Sequence, residues 1–265
     1  MADKIVLITG ASSGIGRMCA GHLTDHGFLV VGASRRSMPD TPWPQVVMDV
    51  DDDTSTADGV HQIVREHGGI DAVVTCAGWG LAGSVEQTPI AEARAQIETN
   101  FFGTVRAVQA ALPTLRERHG RIVLMSSIGG VIGLPFQAYY SAGKFALEGW
   151  AEALAREVEP FSVGVTLVEP GNFRTGFTGS RRTVEVSGDD PYAKASATAI
   201  AKMETDERSG SDPQAVAEVV AKVLTARRPP RRLSVGPVGE RVGVLAKRLL
   251  PNRLFEAASA SSLGV

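Results

Sequence analysis

The stretch IVLITGASSGIG, residues 5–16, decides the fold of this chain. Its apolar run, Ile5–Ile8, predicts a buried strand, and from Ile15 to His26 apolar residues recur at helical spacing. Glycines between a strand and a helix let the backbone approach a pyrophosphate, and the helix N-terminus offers its N–H groups and positive dipole to the phosphates. An ordinary tight turn is the alternative, and the strand–turn–helix context favours a nucleotide site.

Strand-like and helix-like segments alternate along the rest of the chain. The predicted strands that follow the first are Phe28–Gly32, Val46–Met48, Ala72–Thr75, Ile122–Met125, Val163–Val168 and Leu233–Val235. The predicted helices are Thr54–His67, one from Pro89 to about Arg118 that bends or breaks near Pro113, Tyr140–Val158, and one that opens at Asp212-Pro213. This alternation predicts an α/β fold, a Rossmann-like doubly wound parallel sheet of about seven strands flanked by helices.

The lengths of the connections add further expectations. About 11 residues separate the second and third strands, which is too few for a crossover helix, so a turn rich in proline is expected there. The polar segment at residues 176–211 is the longest insertion, and it contains a predicted short helix near Ala193–Met203. We interpret residues 1–265 as a single domain that carries this insertion and a basic C-terminal appendage at about 237–265.

The composition argues against several classes of protein, since hydrophobic residues make up 43%, charged residues 21%, and the formal net charge is −2. A disordered chain and a nucleic-acid binder that relies on bulk charge are therefore not expected. The two cysteines, Cys19 and Cys76, cannot form a disulfide framework and fit a reducing compartment. Because neither a signal-peptide pattern nor a membrane-spanning stretch is found, we expect a cytoplasmic protein without stable membrane insertion. His22 and His26 carry no metal-binding signature, and no metal site is expected.

The near-neutral net charge of the whole chain hides a basic C-terminal part. Residues 227–265 carry eight Lys and Arg against two acidic residues, a net charge of +6, and residues 1–226 carry −8. Within this part, apolar and basic residues alternate over Glu240–Phe255 as in an amphipathic helix. Such a helix could touch a membrane surface, but we favour a helix that covers the acidic surface of its own subunit, a partner subunit or the mouth of a pocket.

Arginines follow the second strand, and acidic residues follow the third. An acidic residue at the first place would bind an adenosine ribose, whereas Arg35 and Arg36, after Ser34, can pair with a 2′-phosphate. NADP(H) is therefore the preferred cofactor, and NAD(H) remains open if the two arginines are only solvated loop charges. Asp49, beside Val50, is a candidate acceptor for the adenine amino group, although its acidic run could equally cap a helix.

Three side chains could form a catalytic group. Tyr140 and Lys144 lie four residues apart at the start of a helix, so both face the same side. A nearby ammonium favours the phenolate and would lower the pKa of Tyr140 from its usual value of about 10. Ser127 ends the fifth strand, at the edge where α/β sites gather. Each of these features alone usually arises by chance. The prediction of a catalytic site rests on their occurring together, in this order, after a nucleotide-binding loop.

Together these motifs resemble the short-chain dehydrogenase/reductase family, in its single-domain branch. The resemblance is carried by Thr9-Gly10-x3-Gly14-x-Gly16, Asn100, Ser127, Tyr140-x3-Lys144 and Pro170-Gly171. The segments at residues 127–136 and 144–149 are locally similar to the hydroxysteroid dehydrogenases. One departure is Thr75-Cys76 before Ala77-Gly78, where the family usually has two asparagines, so the side-chain bonds from an asparagine that brace the sheet are lost.

The resemblance implies a role for each matching residue. Tyr140 would be the general acid or base, Lys144 would lower its pKa and hold the nicotinamide ribose, Ser127 would orient the carbonyl, and Asn100 would complete a proton relay to Lys144. Residues 176–211 would be the substrate lid. The implied cofactor-binding residues are Gly10, Ser12, Ser13, Gly14, Ile15, Gly16, Ser34, Arg35, Arg36, Asp49, Val50, Ala77, Gly78, Asn100, Tyr140, Lys144, Pro170, Gly171, Phe173 and Thr175.

The expected function is that of an NADP(H)-preferring oxidoreductase that interconverts a secondary alcohol and a ketone or aldehyde. Its small-molecule substrate would be bulky and apolar or steroid-like. The resemblance also implies a homodimer or homotetramer, formed through the long helices after strands four and five. The alternative is a nucleotide-sensing regulatory protein on the same fold, which need not keep all four of these side chains.

Overall fold

The computed structural model describes residues 4–259, so the last six residues of the expected appendage lie outside the described part. Strands alternate with helices throughout, as the sequence predicts. The strands are β1 (Ile5–Thr9), β2 (Leu29–Ser34), β3 (Gln45–Val47), β4 (Ala72–Thr75), β5 (Leu81–Ala82), β6 (Arg121–Met125), β7 (Gly164–Pro170), β8 (Arg182–Thr183) and β9 (Arg232–Val235).

The helices occupy the segments between these strands. They are α1 (Gly14–Asp25), α2 (Asp53–His67), α3 (Ile90–Ile97), α4 (Gly103–Glu117), α5 (Ala138–Glu157), α6 (Phe177–Ser180), α7 (Ala193–Arg208), α8 (Gln214–Thr225), α9 (Val238–Leu249) and α10 (Asn252–Ser259). Within the described residues, no helix has both the length and the apolar character needed to span a bilayer.

The seven longer strands form one parallel sheet in the order β3-β2-β1-β4-β6-β7-β9. This confirms the predicted doubly wound, Rossmann-like sheet. The strand order reverses between β1 and β4, and ligands of such sheets bind in the crevice outside the carboxyl ends of the strands at that point. The short strands β5 and β8 pair separately, which the sequence pattern did not predict, and they tie the 176–211 segment to the loop after β4.

Alternating side chains of the central strands build a core on each face of the sheet. Leu7 and Leu124 belong to the core beneath α2, α4 and α5, whereas Val6, Ile8 and Val123 belong to the core beneath α1 and α8. Both faces are covered by helices, which explains why the strands read as continuous apolar runs rather than alternating ones. The central strands that lead to the site are therefore buried on both faces of the sheet.

The long helix after β4 is broken, but not where the sequence suggested. Pro113 lies inside α4, and the irregular turn is a π-helical stretch at Glu98–Phe102. Within that stretch Asn100 hydrogen-bonds the backbone of Trp79, with its Oδ1 accepting from the N–H at 3.0 Å and its Nδ2 donating to the carbonyl at 3.0 Å. Single π turns inside helices often occur at functional sites. A tertiary contact, not proline, therefore accompanies the break.

The core predicts a large difference between two leucine truncations. Leu124 in β6 has no exposed surface, whereas Leu249 in α9 is 72% exposed. Leu124→Ala should lower the free energy of unfolding by about 2–5 kcal/mol, because buried contacts are lost and a cavity remains. The matched control Leu249→Ala should stay within about 0.5 kcal/mol of the unchanged protein in the same urea titration. Equal losses from the two variants would contradict this packing.

Candidate active site

A cavity of about 1230 Å³ opens at the carboxyl ends of the central strands. The glycine loop after β1 forms one end, and the 176–211 segment and α9 form the other. All four predicted catalytic residues, Asn100, Ser127, Tyr140 and Lys144, line this cavity. The fold therefore brings together side chains that are up to 44 positions apart in sequence.

The glycine loop has the geometry that a dinucleotide requires. Gly10 has a φ of +68°, a left-handed conformation that glycine adopts without strain. A Cβ on Gly16 would lie 2.3 Å from the carbonyl oxygen of Gly10, so only glycine lets α1 pack this closely on the end of β1. Ser12 and Ser13 line the cavity just before the N-terminus of α1, where backbone N–H groups can receive a pyrophosphate.

Nearly all of the expected cofactor residues line this cavity, and the exception is Arg36. Arg35 lines the cavity beside Ser34, whereas Arg36 is exposed and its carbonyl accepts a hydrogen bond from the Ser34 hydroxyl. That turn separates the two arginines. Only Arg35 remains as a lining candidate to meet a 2′-phosphate.

An unpaired buried oxygen supports the fit of a dinucleotide. Asp51 Oδ1 is buried in the cavity and has no hydrogen-bond partner among the described residues, while Oδ2 accepts from the hydroxyl of Thr99 at 2.9 Å. Burial raises the pKa of Asp51, and the Thr99 hydrogen bond acts in the opposite direction. An adenine amino group would supply the missing donor. The sequence pointed instead to Asp49, which is also half-buried but whose Oδ1 already accepts from the Asp51 N–H at 3.1 Å.

Tyr140, Ser127 and Lys144 form a buried cluster, each less than a tenth exposed. The Nζ of Lys144 lies 5.8 Å from the centre of the Tyr140 ring and donates to the carbonyl of Met125 at 2.7 Å. The Oγ of Ser127 accepts from the N–H of Gly129 at 3.0 Å, which holds the hydroxyl at the end of β6. The cluster can therefore hold a carbonyl oxygen between two hydroxyl groups.

Burial, rather than the ammonium group, dominates the pKa of the tyrosine. Burial raises the pKa of Tyr140, while the neighbouring hydroxyl of Ser127 acts to lower it. The direction is opposite to the lowering expected from Lys144, whose own pKa is lowered to about 8 by burial. The amino group lies against the Met125 carbonyl and is itself desolvated, so it does not offset the burial of the phenol.

Asn100 holds the backbone of the loop after β4 in this arrangement. Both polar atoms of its side chain are bonded to the backbone of Trp79, and Gln96 also donates to the Trp79 carbonyl at 3.2 Å. The Trp79 indole N–H donates to Thr99 Oγ1 at 3.1 Å, and the Arg182 guanidinium lies 4.4 Å from the centre of the Trp79 ring. These contacts fix the loop after β4 against the cavity. The relay from Asn100 to Lys144 stays a prediction.

The C-terminal helix α9 forms part of the rim of the cavity. Its Glu240 accepts hydrogen bonds from the backbone N–H of Asn172 at 2.9 Å and from the Asn172 side chain at 2.6 Å. Near its other end, Arg248 pairs with Glu169, which is fully buried and also accepts from Ser234 at 2.6 Å. The sequence predicted a helix that covers the acidic surface of its own subunit, a partner subunit or the mouth of a pocket. The structure places it at the pocket mouth, and no sequence signal distinguished Glu240 as a lining residue.

The comparisons with known proteins agree with this geometry. The family model for short chain dehydrogenases matches residues 4–185. The chain belongs to the short-chain dehydrogenase/reductase family. As a member it is an NAD(P)-dependent oxidoreductase that acts on CH–OH and carbonyl groups of small molecules.

Individual relatives match this short-chain dehydrogenase over nearly its whole length. A 3-ketodihydrosphingosine reductase of Bacteroides thetaiotaomicron is 40% identical over 261 residues, which cover 97% of each chain. Retinol dehydrogenase 8 of Bos taurus is 36% identical and covers 87% of this chain and 81% of its own. The crystal structure of a short-chain dehydrogenase from Streptomyces avermitilis gives a TM-score of 0.84 at 32% identity, over 99% of this chain and 97% of that one.

The depressed pKa of Lys144 predicts a pH-dependent stability. The folded-state pKa of about 8 lies below the ordinary value of 10.5, so burial of the charged lysine opposes folding at neutral pH. As the pH rises above the folded-state pKa, this penalty fades. The unchanged protein should therefore gain roughly 2 kcal/mol relative to Lys144→Met between about pH 7.5 and pH 9.5.

Chemical denaturation of both proteins across this pH range measures the difference. The matched control is Lys222→Met, which changes an exposed lysine of α8 and should give a curve parallel to that of the unchanged protein. A Lys144→Met curve that also runs parallel would show that Lys144 is not desolvated in the folded state.

Proposed function

We propose that this short-chain dehydrogenase reduces the ketone of a long-chain apolar molecule with NADPH, with Tyr140 as the proton donor. The observation that carries the proposal is the cluster of buried Tyr140, Ser127 and Lys144 in the lining of one cavity, which we divide into two halves. One half has the dinucleotide features described above. The other half contains many apolar side chains, among them Ile132, Leu134, Met203, Val242, Leu250 and Phe255, together with charged ones such as Lys202 and Glu207.

The protonated state of Tyr140 suits the role of proton donor in reduction. A tyrosine whose pKa lies above its ordinary value of 10.0 stays protonated near neutral pH, and a protonated phenol is a proton donor. In reduction the Tyr140 hydroxyl gives its proton to the carbonyl oxygen, while Ser127 donates a hydrogen bond to the same oxygen. Bound NADPH supplies the hydride that reaches the carbonyl carbon. With a pKa of about 8, Lys144 can take up or release a proton near neutral pH and so return one towards the tyrosine.

The substrate class follows from the apolar half of the cavity together with the relatives. The Bacteroides relative is named for 3-ketodihydrosphingosine, a ketone on a long alkyl chain, and the bovine relative for retinol. Both are elongated apolar molecules. A long-chain keto sphingoid base fits these supports better than a steroid does, because the more similar of these two relatives is named for one.

Further properties remain part of the proposal. We infer a homodimer or homotetramer that associates through α4 and α5, where Phe102, just before α4, and Phe145 on α5 are large exposed apolar side chains. From the sequence we also infer a cytoplasmic location, a single domain and a lid role for residues 176–211.

The role of Tyr140 is tested by removing its hydroxyl group. Tyr140→Phe keeps the ring and its packing but removes the proton donor, so kcat for reduction of 3-ketodihydrosphingosine should fall by at least about a hundredfold. NADPH consumption is followed at the nicotinamide absorbance. The matched control is Tyr139→Phe, since Tyr139 is half-buried and does not line the cavity, and it should retain activity.

Two results would count against this proposal. Full turnover by Tyr140→Phe would remove the tyrosine from the chemistry. If the unchanged protein binds NADPH but turns over no ketone of a broad panel, the nucleotide-sensing alternative is favoured instead.

The NADPH preference is tested at the second strand. Arg35→Ala should raise the KM for NADPH by about tenfold or more and leave the KM for NADH nearly unchanged, because only NADPH carries the 2′-phosphate. Arg36→Ala is the matched control, because Arg36 does not line the cavity, and it should change neither value appreciably. A lower KM for NADH than for NADPH in the unchanged protein would show that the assignment to Arg35 is wrong.

A further inference from the structure

We propose that α9 and the start of α10 form a docking surface for an anionic lipid bilayer, beside the mouth of the substrate cavity. The surface consists of Val238, Val242, Leu245, Leu249 and Leu254, and we call it the α9 face. The proposal rests on the proposed function, because a docked enzyme would take a long-chain ketone directly from the bilayer. It adds a partner that the reaction itself does not require.

The α9 face is apolar and open to solvent. Val238, Val242, Leu245 and Leu249 are spaced by four, three and four residues, so they lie along one side of the helix. Their exposed fractions are 72%, 58%, 56% and 72%, and Leu254 on α10 is 60% exposed. Single exposed apolar residues are ordinary, but a continuous row of them marks an interaction surface.

The adjacent side of α9 lines the cavity. Gly239, Gly243, Ala246 and Leu250 have the same spacing, one position further along, and all four are cavity-lining residues. Val242 and Leu250 are exposed and also line the cavity. Because one residue turns a helix by about 100°, the apolar face and the cavity side meet along the helix. A lipid chain can therefore pass from one to the other over a continuous apolar surface.

Charge selects an anionic surface as the partner. Arg241, Lys247 and Arg253 lie among the apolar residues of this segment, and the part of the chain from residue 227 onward carries a net charge of +6. Each such basic residue contributes about 1 kcal/mol near an anionic leaflet. An amphipathic helix of this kind lies in the interface with its apolar side in the headgroup region.

A second copy of this chain fits the same face less well. In a two-fold interface the same patch contributes from both copies, so Arg241 and Arg253 would be brought together with the same basic residues of the second copy. Like charges brought together at an interface oppose association. The expected contact between subunits also lies elsewhere, on α4 and α5. An anionic bilayer complements the basic residues that a second copy would repel.

The helix is held firmly enough to orient the whole enzyme. Glu240 is bonded to Asn172 near one end of α9, and Arg248 is paired with the buried Glu169 near the other. Both partners belong to β7 or to the segment directly after it. Docking through α9 would therefore set the cavity mouth against the bilayer.

The test compares two double variants in vesicle flotation. Leu245→Ser with Leu249→Ser removes two apolar side chains of the α9 face, neither of which lines the cavity. Val47→Ser with Ile90→Ser removes two side chains of similar exposure elsewhere on the surface. The vesicles are phosphatidylcholine with phosphatidylglycerol, and phosphatidylcholine alone is the neutral comparison. Thermal unfolding checks that each variant is folded.

The expected result is binding of the unchanged protein to the anionic vesicles, with much weaker binding to neutral ones. The α9 double variant should bind the anionic vesicles about tenfold more weakly or worse, and the control double variant should bind like the unchanged protein. With long-chain ketone embedded in the vesicles the α9 double variant should lose turnover, while it keeps its kcat on a dissolved short-chain ketone.

Two results would overturn the proposal. One is equal vesicle binding by the two double variants, or none by the unchanged protein. The other is a change only in oligomeric state, measured by light scattering, which would assign the face to a second copy. Flotation needs no turnover, so failure of the proposed reaction would leave the binding result intact. Failure of docking would likewise leave reduction of the dissolved ketone intact.

Discussion

The site depends first on the contact between two glycines at the carboxyl end of β1. Because Gly16 has no Cβ, the first turn of α1 rests directly on the carbonyl of Gly10, where any side chain would collide. This contact aims the N-terminus of α1 along the edge of the sheet at which the cavity opens. It also sets the position of α1 against α8, which packs beside it on the same face of the sheet. A larger residue at position 16 would disturb the pyrophosphate end and this face together.

A second set of contacts couples the catalytic helix to the C-terminal helix. Glu148 on α5 accepts hydrogen bonds from Ser126 at 2.5 Å and from Arg232 at 2.8 Å. Arg232 also approaches Glu169, and Glu169 pairs with Arg248 on α9. Burial raises the pKa of Glu148, while its bonds to Ser126 and Arg232 oppose that shift. Buried charges of this kind are stable only while every member keeps its partners, so α5 and α9 hold each other in place around the cavity.

Sequence reasoning was most successful where a local pattern carries the information. The seven strands of the main sheet, the missing helix before β3 and the convergence of Ser127, Tyr140 and Lys144 could all be predicted, because periodicity and spacing express them directly. It failed where the answer depends on neighbours distant in the chain. The helix break lies at Glu98–Phe102, where Asn100 is bonded to the distant Trp79 backbone, and the raised pKa of Tyr140 reflects burial by segments that no motif specifies.

The sequence by itself determined the α/β class, the order of the elements, the glycine loop and the family, since these follow from hydrophobic periodicity and from residue types at fixed spacings. Only the tertiary structure decided that Arg35 and not Arg36 lines the cavity, that Asp51 carries a buried oxygen without a partner among the described residues, and that α9 lines the cavity. The physical reason is that burial and partner choice are set by contacts between segments far apart in the chain. A linear pattern records which side chains are present, but it does not record which of them lose contact with water.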